Sequence, residues 1–196
     1  MTSELFETLE FVADTLAHLG EPWALIGGLA VSVHVEPRFT RDIDVAVAID
    51  DDAQAEEFIR LWSAAGFVIE TVMEQDAVER LATVRSFRRG AGHGIVVDLL
   101  FASSGIEAEI AAAALRLEVV PALIVPVARP AHLIALKLLA VDPDLRPQDA
   151  IDLKHLAAII DANELHETRL ALRLITSRGY DRGRDLEALF TQYLTP

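Results

Sequence analysis

Asp42 and Asp44 open the run DIDVAVAI, whose other residues are all aliphatic. Ile43, Val45, Val47 and Ile49 alternate with smaller partners, the pattern of a strand with one face in a core. Residues two apart on a strand face the same side, so the two carboxylates share a face and Ile43 points to the other. Adjacent carboxylates repel, and without a counter-charge at least one pKa must rise. The chain must therefore fold so that this strand buries one face and offers the other to something positive. Carboxylate oxygens suit a divalent cation such as Mg²⁺ or Mn²⁺. Taken alone, the pair is equally satisfied by a strand-start cap at Asp42 and a solvated Asp44.

The flanking sequence supplies the elements around that strand. Leu5, Leu9, Val12, Leu16 and Leu19 mark an amphipathic helix ended by Gly20. PWALIGG reads as a short buried strand stopping at Gly27-Gly28, LAVSVHV as a short helix, and Pro37 as a loop. Asp50, Asp51 and Asp52 can cap a helix through AQAEEFIRLWSAAG, closed by Gly66. FVIETV, LATVRSFR and GIVVDLLFA are three more strands, and RLEVVPALIVPVA gives extended segments interrupted by Pro121 and Pro126. From Pro130 onward the pattern is helical, through AHLIALKLLAV, RPQDAIDLKHLAAII, NELHETRLALRLI and RDLEALFTQYL. The expectation is an α+β fold: a mixed β-sheet flanked by helices over residues 1–128, with a helical C-terminal region over 129–196 packed on it. A chain of 196 residues, 52% of them hydrophobic, can bury such a core.

Charge limits the partners. A formal net charge of −14 repels polyanions at long range, so nucleic acid would need a local basic patch. VRSFRRGAGHG, with Arg85, Arg88, Arg89 and His93, is the one concentrated patch, and a solvated hairpin explains it as well as an RNA-binding surface does. The absence of cysteine removes disulfides and thiolate metal sites. An acidic, helically spaced N-terminus and the lack of a long charge-free apolar run lead to the expectation of a soluble, cytoplasmic protein.

Two further features bear on the acid pair. Gly27-Gly28 lies between a strand and a helix, where bare backbone can approach a ligand and helix N-terminal amides attract phosphate. A ligand-free tight turn would use the same residues. Asp98 sits within the apolar strand GIVVDLLFA, where an unpaired carboxylate is expensive. A strand-end bond to a neighbouring loop would also account for it. Together, a glycine turn, a same-face acid pair and a third strand acid describe a site for metal and triphosphate.

GGLAVSVHVEPRFTRDIDVAV with the later IVVDLL resembles the polymerase-β-like nucleotidyltransferase superfamily, and within it the AbiEii-like toxins of type IV toxin–antitoxin systems. Arg38, Thr40, Asp42 and Asp44 match that branch's Arg-x-Thr-x-Asp-x-Asp segment, and Asp98 matches its third acid. Lys137 fits its helical lysine. Arg146, Asp149 and Asp152 in RPQDAID fit its Arg-x-Lys-Asp-like segment. The resemblance implies a cytoplasmic enzyme that transfers a nucleoside monophosphate to RNA, tRNA included, or to protein, with a cognate antitoxin as partner. It further implies that Asp42, Asp44 and Asp98 are catalytic and hold Mg²⁺ or Mn²⁺. Gly27, Gly28, Arg38, Thr40, Lys137, Arg146 and Asp149 would bind the nucleotide.

The chain departs from the pattern at Leu29, where many relatives carry serine, with Ser32 a turn further on. It departs again at Gln148, in the place of a lysine. These departures leave open a catalytically degenerate domain that binds nucleotide or a partner. A manganese glycosyltransferase built on Asp-x-Asp lacks support from the glycine pair and helical tail. A haloacid-dehalogenase-like phosphatase wants Thr or Val where Ala46 stands. His34, on an apolar helix, reads as a packed, hydrogen-bonded histidine.

Overall fold

The computed structural model describes residues 3–36, 40–75, 78–90, 94–142 and 145–194. Helix α1 (Ser3–Leu19) buries Leu5, Leu9, Val12 and Leu16 and ends at Gly20, whose φ of +86° reverses the chain. Strand β1 (Trp23–Ile26) passes directly into α2 (Gly27–His34), so both glycines belong to the first turn of that helix. Strand β2 (Asp42–Val47) follows, then α3 (Asp52–Ala64). Of the three candidate caps, Asp51 takes the role, its side chain accepting from the Gln54 amide at 2.8 Å.

Strands β3 (Phe67–Gln75), β4 (Arg80–Arg88) and β5 (Val96–Leu100) come next. A short helix, α4 (Glu107–Ala112), precedes β6 (Leu115–Val120) and β7 (Leu123–Val127). Pro126 does not interrupt this last segment; it lies within β7, opposite Arg116. The C-terminal helices are α5 (Pro130–Ala140), α6 (Pro147–Ala157), α7 (Ala162–Ser177) and α8 (Leu186–Leu194). Proline occupies the first turn of both α5 and α6, where its missing N–H costs nothing.

The seven strands form one mixed sheet in the order β3-β4-β5-β2-β1-β7-β6. β2 lies at its centre, antiparallel to β1 and parallel to β5. Its burial follows from that place: Ile43, Val45, Ala46 and Val47 are all buried, and only the acid end reaches solvent. A single hydrophobic cluster runs from Leu9 in α1 through the sheet to Leu133, Leu153, Leu172 and Phe190 in the C-terminal helices. Residues on both sides of Ala128 thus share one core. Arg184 reinforces the join by donating to the carbonyls of Leu139 (2.8 Å) and Val141 at the end of α5, groups the helix itself leaves unsatisfied. No described helix is long and apolar enough to cross a membrane.

Candidate active site

Strand register brings the sequence-singled acids together. Asp44 stands directly opposite Asp98 across the parallel β2–β5 pair, and Asp42 opposite Val96. On its other side Asp44 pairs with Ile26, the residue before the glycine turn. Asp42, Asp44 and Asp98 line one cleft of about 570 Å³, with Gly27, Gly28 and Thr40 beside them. Gly27 has a φ of +66°, and a β-carbon there would lie 1.9 Å from Asp44 Oδ2. Only glycine lets the turn and the carboxylate approach so closely. The Asp44 carboxyl is pushed up to about 6 from the usual 3.8, first by burial and then by the charges of Asp98 and Asp42, which Lys137 and Arg146 only partly offset.

Asp98 is 7% exposed and is answered by an arginine. Arg85 lies opposite it on antiparallel β4 and grips it with two prongs, Nε to Oδ1 at 2.9 Å and Nη2 to Oδ2 at 2.7 Å. The carboxylate in turn holds the guanidinium well above its ordinary value. Residues three apart on a strand face opposite ways, so the basic patch of the sequence is not one surface. Arg85 enters the cleft, while Arg88 stacks on the Phe11 ring of α1, 4.3 Å from its centroid. His93 of that patch lies outside the described residues, as do Arg38 and Pro37.

The facing wall is helical. Lys137 of α5 is 8% exposed, and its Nζ bonds Asp149 Oδ1 at 2.6 Å and Asp152 Oδ2 at 2.9 Å, both from α6. Asp149 Oδ2 meets Arg146 Nε at 2.9 Å, and Gln148 Nε2 donates to Asp152 Oδ1 at 3.1 Å. A surface salt bridge at the start of α6 does not describe this arrangement, because both aspartates are buried. Ser32 does not substitute for the missing serine: its hydroxyl donates to the Gly28 carbonyl at 3.0 Å, and it does not line the cleft. His34 is half-buried and bonds the Ala128 carbonyl through Nε2 at 2.9 Å.

Among the described residues no three acidic or histidine side chains are arranged to hold a metal ion, and Arg85 takes both oxygens of Asp98. The donor set nevertheless fits a hard cation. Asp42 and Asp44 are all-oxygen donors on one face, and burial together with the neighbouring carboxylates raises the Asp44 carboxyl, so a cation there would be favoured. Sequence reasoning missed four cleft residues: Arg85 as the partner of Asp98, and Ser103, Ser104 and Arg182 on the wall. The order VRSFR then IVVDLL, two strands close in sequence, could have pointed to the Arg85 pairing. Nothing in the sequence around Arg182 points to the cleft.

Solved structures share this architecture at low identity. An antigenic nucleotidyltransferase-like protein from Paracoccidioides brasiliensis matches with a TM-score of 0.52 and 16% identity, over 96% of this chain and 94% of its own. ANT(2″)-Ia in complex with adenylyl-2″-tobramycin matches with a TM-score of 0.50 and 16% identity, over 98% and 97%. At such identity the likeness speaks to the fold alone, and the fold is the mixed sheet flanked by helices that the sequence led us to expect. No curated protein is a significant sequence match. A family model does match, over residues 10–194: the nucleotidyl transferase AbiEii toxin of type IV toxin–antitoxin systems. With nearly its whole length matched and its strand acids meeting beside a glycine turn, the chain belongs to the AbiEii family and is a nucleotidyltransferase.

Proposed function

We propose that this nucleotidyltransferase is metal-dependent and moves a nucleoside monophosphate from a nucleoside triphosphate to an RNA, tRNA included, or to a protein. On this reading it acts as the toxin of a toxin–antitoxin pair, with a cognate antitoxin as partner. One observation carries the proposal: Asp44 is held between Asp98 and the glycine turn with too little positive charge around it. Asp42 and Asp44 would hold Mg²⁺ or Mn²⁺, with Asp98 joining them once its carboxylate exchanges Arg85 for the cation. Bound there, such a cation supplies Lewis-acid stabilisation of charge on phosphoryl oxygens.

The remaining work falls to the chain. Backbone amides of Gly27 and Gly28 bind triphosphate oxygens at the start of α2. Thr40 adds a hydroxyl, and Arg38 is assigned the same duty from the family pattern. Lys137 presents its charge to the leaving phosphates, oriented by Asp149, which also steadies Arg146. The acceptor oxygen bonds the α-phosphorus as its proton passes to a cleft carboxylate, and the bond to the β-phosphate breaks to release pyrophosphate. In this division residues 1–128 carry the acids and 129–196 close the cleft over the nucleotide. A second reading, binding without turnover, is favoured by one feature, the full occupation of Asp98 by Arg85.

The test is incubation of purified protein with each α-labelled triphosphate, Mg²⁺ and either total RNA or lysate protein. Label is expected in one acceptor class, with pyrophosphate released. Asp42→Ala and Asp44→Ala are expected to abolish transfer while retaining native circular dichroism. Full activity in either variant refutes the assignment of the pair, and calorimetric triphosphate binding without pyrophosphate release upholds the second reading.

A further inference from the structure

Four cations line the cleft: Arg85, Lys137, Arg146 and Arg182. The first three are committed to buried aspartates. Arg182, among the described residues, forms no ion pair. Its Nη2 donates to the Ser103 carbonyl at 3.1 Å and to the Ser103 hydroxyl at 3.3 Å, while Nε and Nη1 have no bond in the protein. The turn that delivers it is unusual. Arg182 has a φ of +57° and Gly183 one of +69°, two successive left-handed residues that aim the side chain into the cleft. A residue with a β-carbon adopts that conformation only where its surroundings dictate it.

Burial, followed by the charges of Arg184 and Arg146, holds the Arg182 guanidinium below its ordinary value, and Glu107 opposes this only weakly. The Glu107 carboxylate is itself occupied, accepting from the Ser103 and Ser104 amides and the Ser104 hydroxyl. Arg182 stands exposed on the cleft wall beside two other cations, and its remaining donor nitrogens face solvent, where an anion can reach them. A guanidinium fork matches two oxygens of one phosphate.

We infer that Arg182 is a nucleotide-binding residue whose free guanidinium edge grips the triphosphate chain of the donor. The assignment rests on the nucleotidyltransferase reading of the cleft, and it adds a contact from the segment between α7 and α8 that no motif marked. Anchoring by Ser103 fixes one nitrogen, so the phosphate meets a guanidinium already oriented.

Calorimetric titration of tripolyphosphate and of ATP, with Mg²⁺ present, tests it on wild type, Arg182→Gln, Arg182→Lys and the distant surface control Arg60→Gln. Arg182→Gln is expected to bind both ligands about 10-fold or more weakly, and to melt within about 2 °C of wild type. Arg182→Lys, which keeps the charge and loses the fork, should fall between; Arg60→Gln should match wild type. Wild-type affinity in Arg182→Gln overturns the assignment. If Arg182→Gln melts lower, the decision passes to Arg182→Lys at an unchanged melting temperature: weakened binding upholds the assignment and undiminished binding overturns it. Failure of the wild type to bind either ligand instead overturns the reading of the whole cleft.

Discussion

The floor of the cleft holds three aspartates and one guanidinium, which pairs with Asp98 alone, whereas its helical wall closes two aspartates around a lysine and an arginine. In the wall, charge is balanced inside the protein, and every member is fixed by another. On the floor, Asp98 is answered by Arg85 and Asp44 is left with its carboxyl raised to about 6. The same residue type thus does two jobs at one site. Balanced acids hold Lys137 in place; the acids of the floor carry more negative charge than the protein itself offsets.

The contrast predicts substitutions of opposite sign. Lys137→Met should be the most damaging, because it removes the cation that Asp149 and Asp152, respectively 2% and 0% exposed, share. A loss of about 3–5 kcal/mol in chemical denaturation is expected; a loss under about 1 kcal/mol would show that the wall is not a closed charge network. Gly27→Ala should come next, at about 1–3 kcal/mol, since the added carbon meets the Asp44 carboxylate in a left-handed turn. Transfer should vanish with it, and an active Gly27→Ala protein would mean that Asp44 need not sit against the turn.

Asp44→Asn should have the smallest effect on stability and a stabilising one. The folded protein holds the Asp44 proton more tightly than the unfolded chain, because the value rises from 3.8 to about 6. The stability this group contributes is therefore full below pH 3.8 and is lost as pH climbs to about 6. At neutral pH the wild type bears the whole penalty, so the asparagine variant should be more stable by about 1–2 kcal/mol, less than the full shift implies because the carboxylate is partly solvent-accessible. The gain should disappear in acid. Adding Mg²⁺ should raise the melting temperature of wild type and leave that of the variant unmoved; equal responses would remove Asp44 from the cation site.

Much of this contrast could be seen in the sequence, and the missing part has a physical cause. Alternation in DIDVAVAI and the apolar setting of Asp98 disclose side-chain direction, which depends only on neighbours along the chain. Asp44 facing Asp98 required in addition that β2 and β5 be adjacent, a matter of topology that the family resemblance supplied and periodicity could not. Arg85 was visible as charge but not as partner, because pairing depends on hairpin register. The burial of Asp149 and Asp152 is set by how α6 packs on α5, which the spacing of residues within α6 does not disclose. Helix α4 is only six residues long, too short for its period to show, and Pro126 was taken for a breaker although a strand can hold it within β7.

The facing of position 44 with position 98 also bears on how the chain finds its fold. A shift of one residue between β2 and β5 would turn Asp98 toward the aliphatic side of the sheet, among groups such as Val97 and Leu99. Arg85, held opposite Asp98 by the separate β4–β5 register, would be carried with it, and burying that charged pair among aliphatic groups costs more than an ordinary slipped contact. The register that brings the acids together is thus also the one that keeps charge out of the aliphatic side of the sheet.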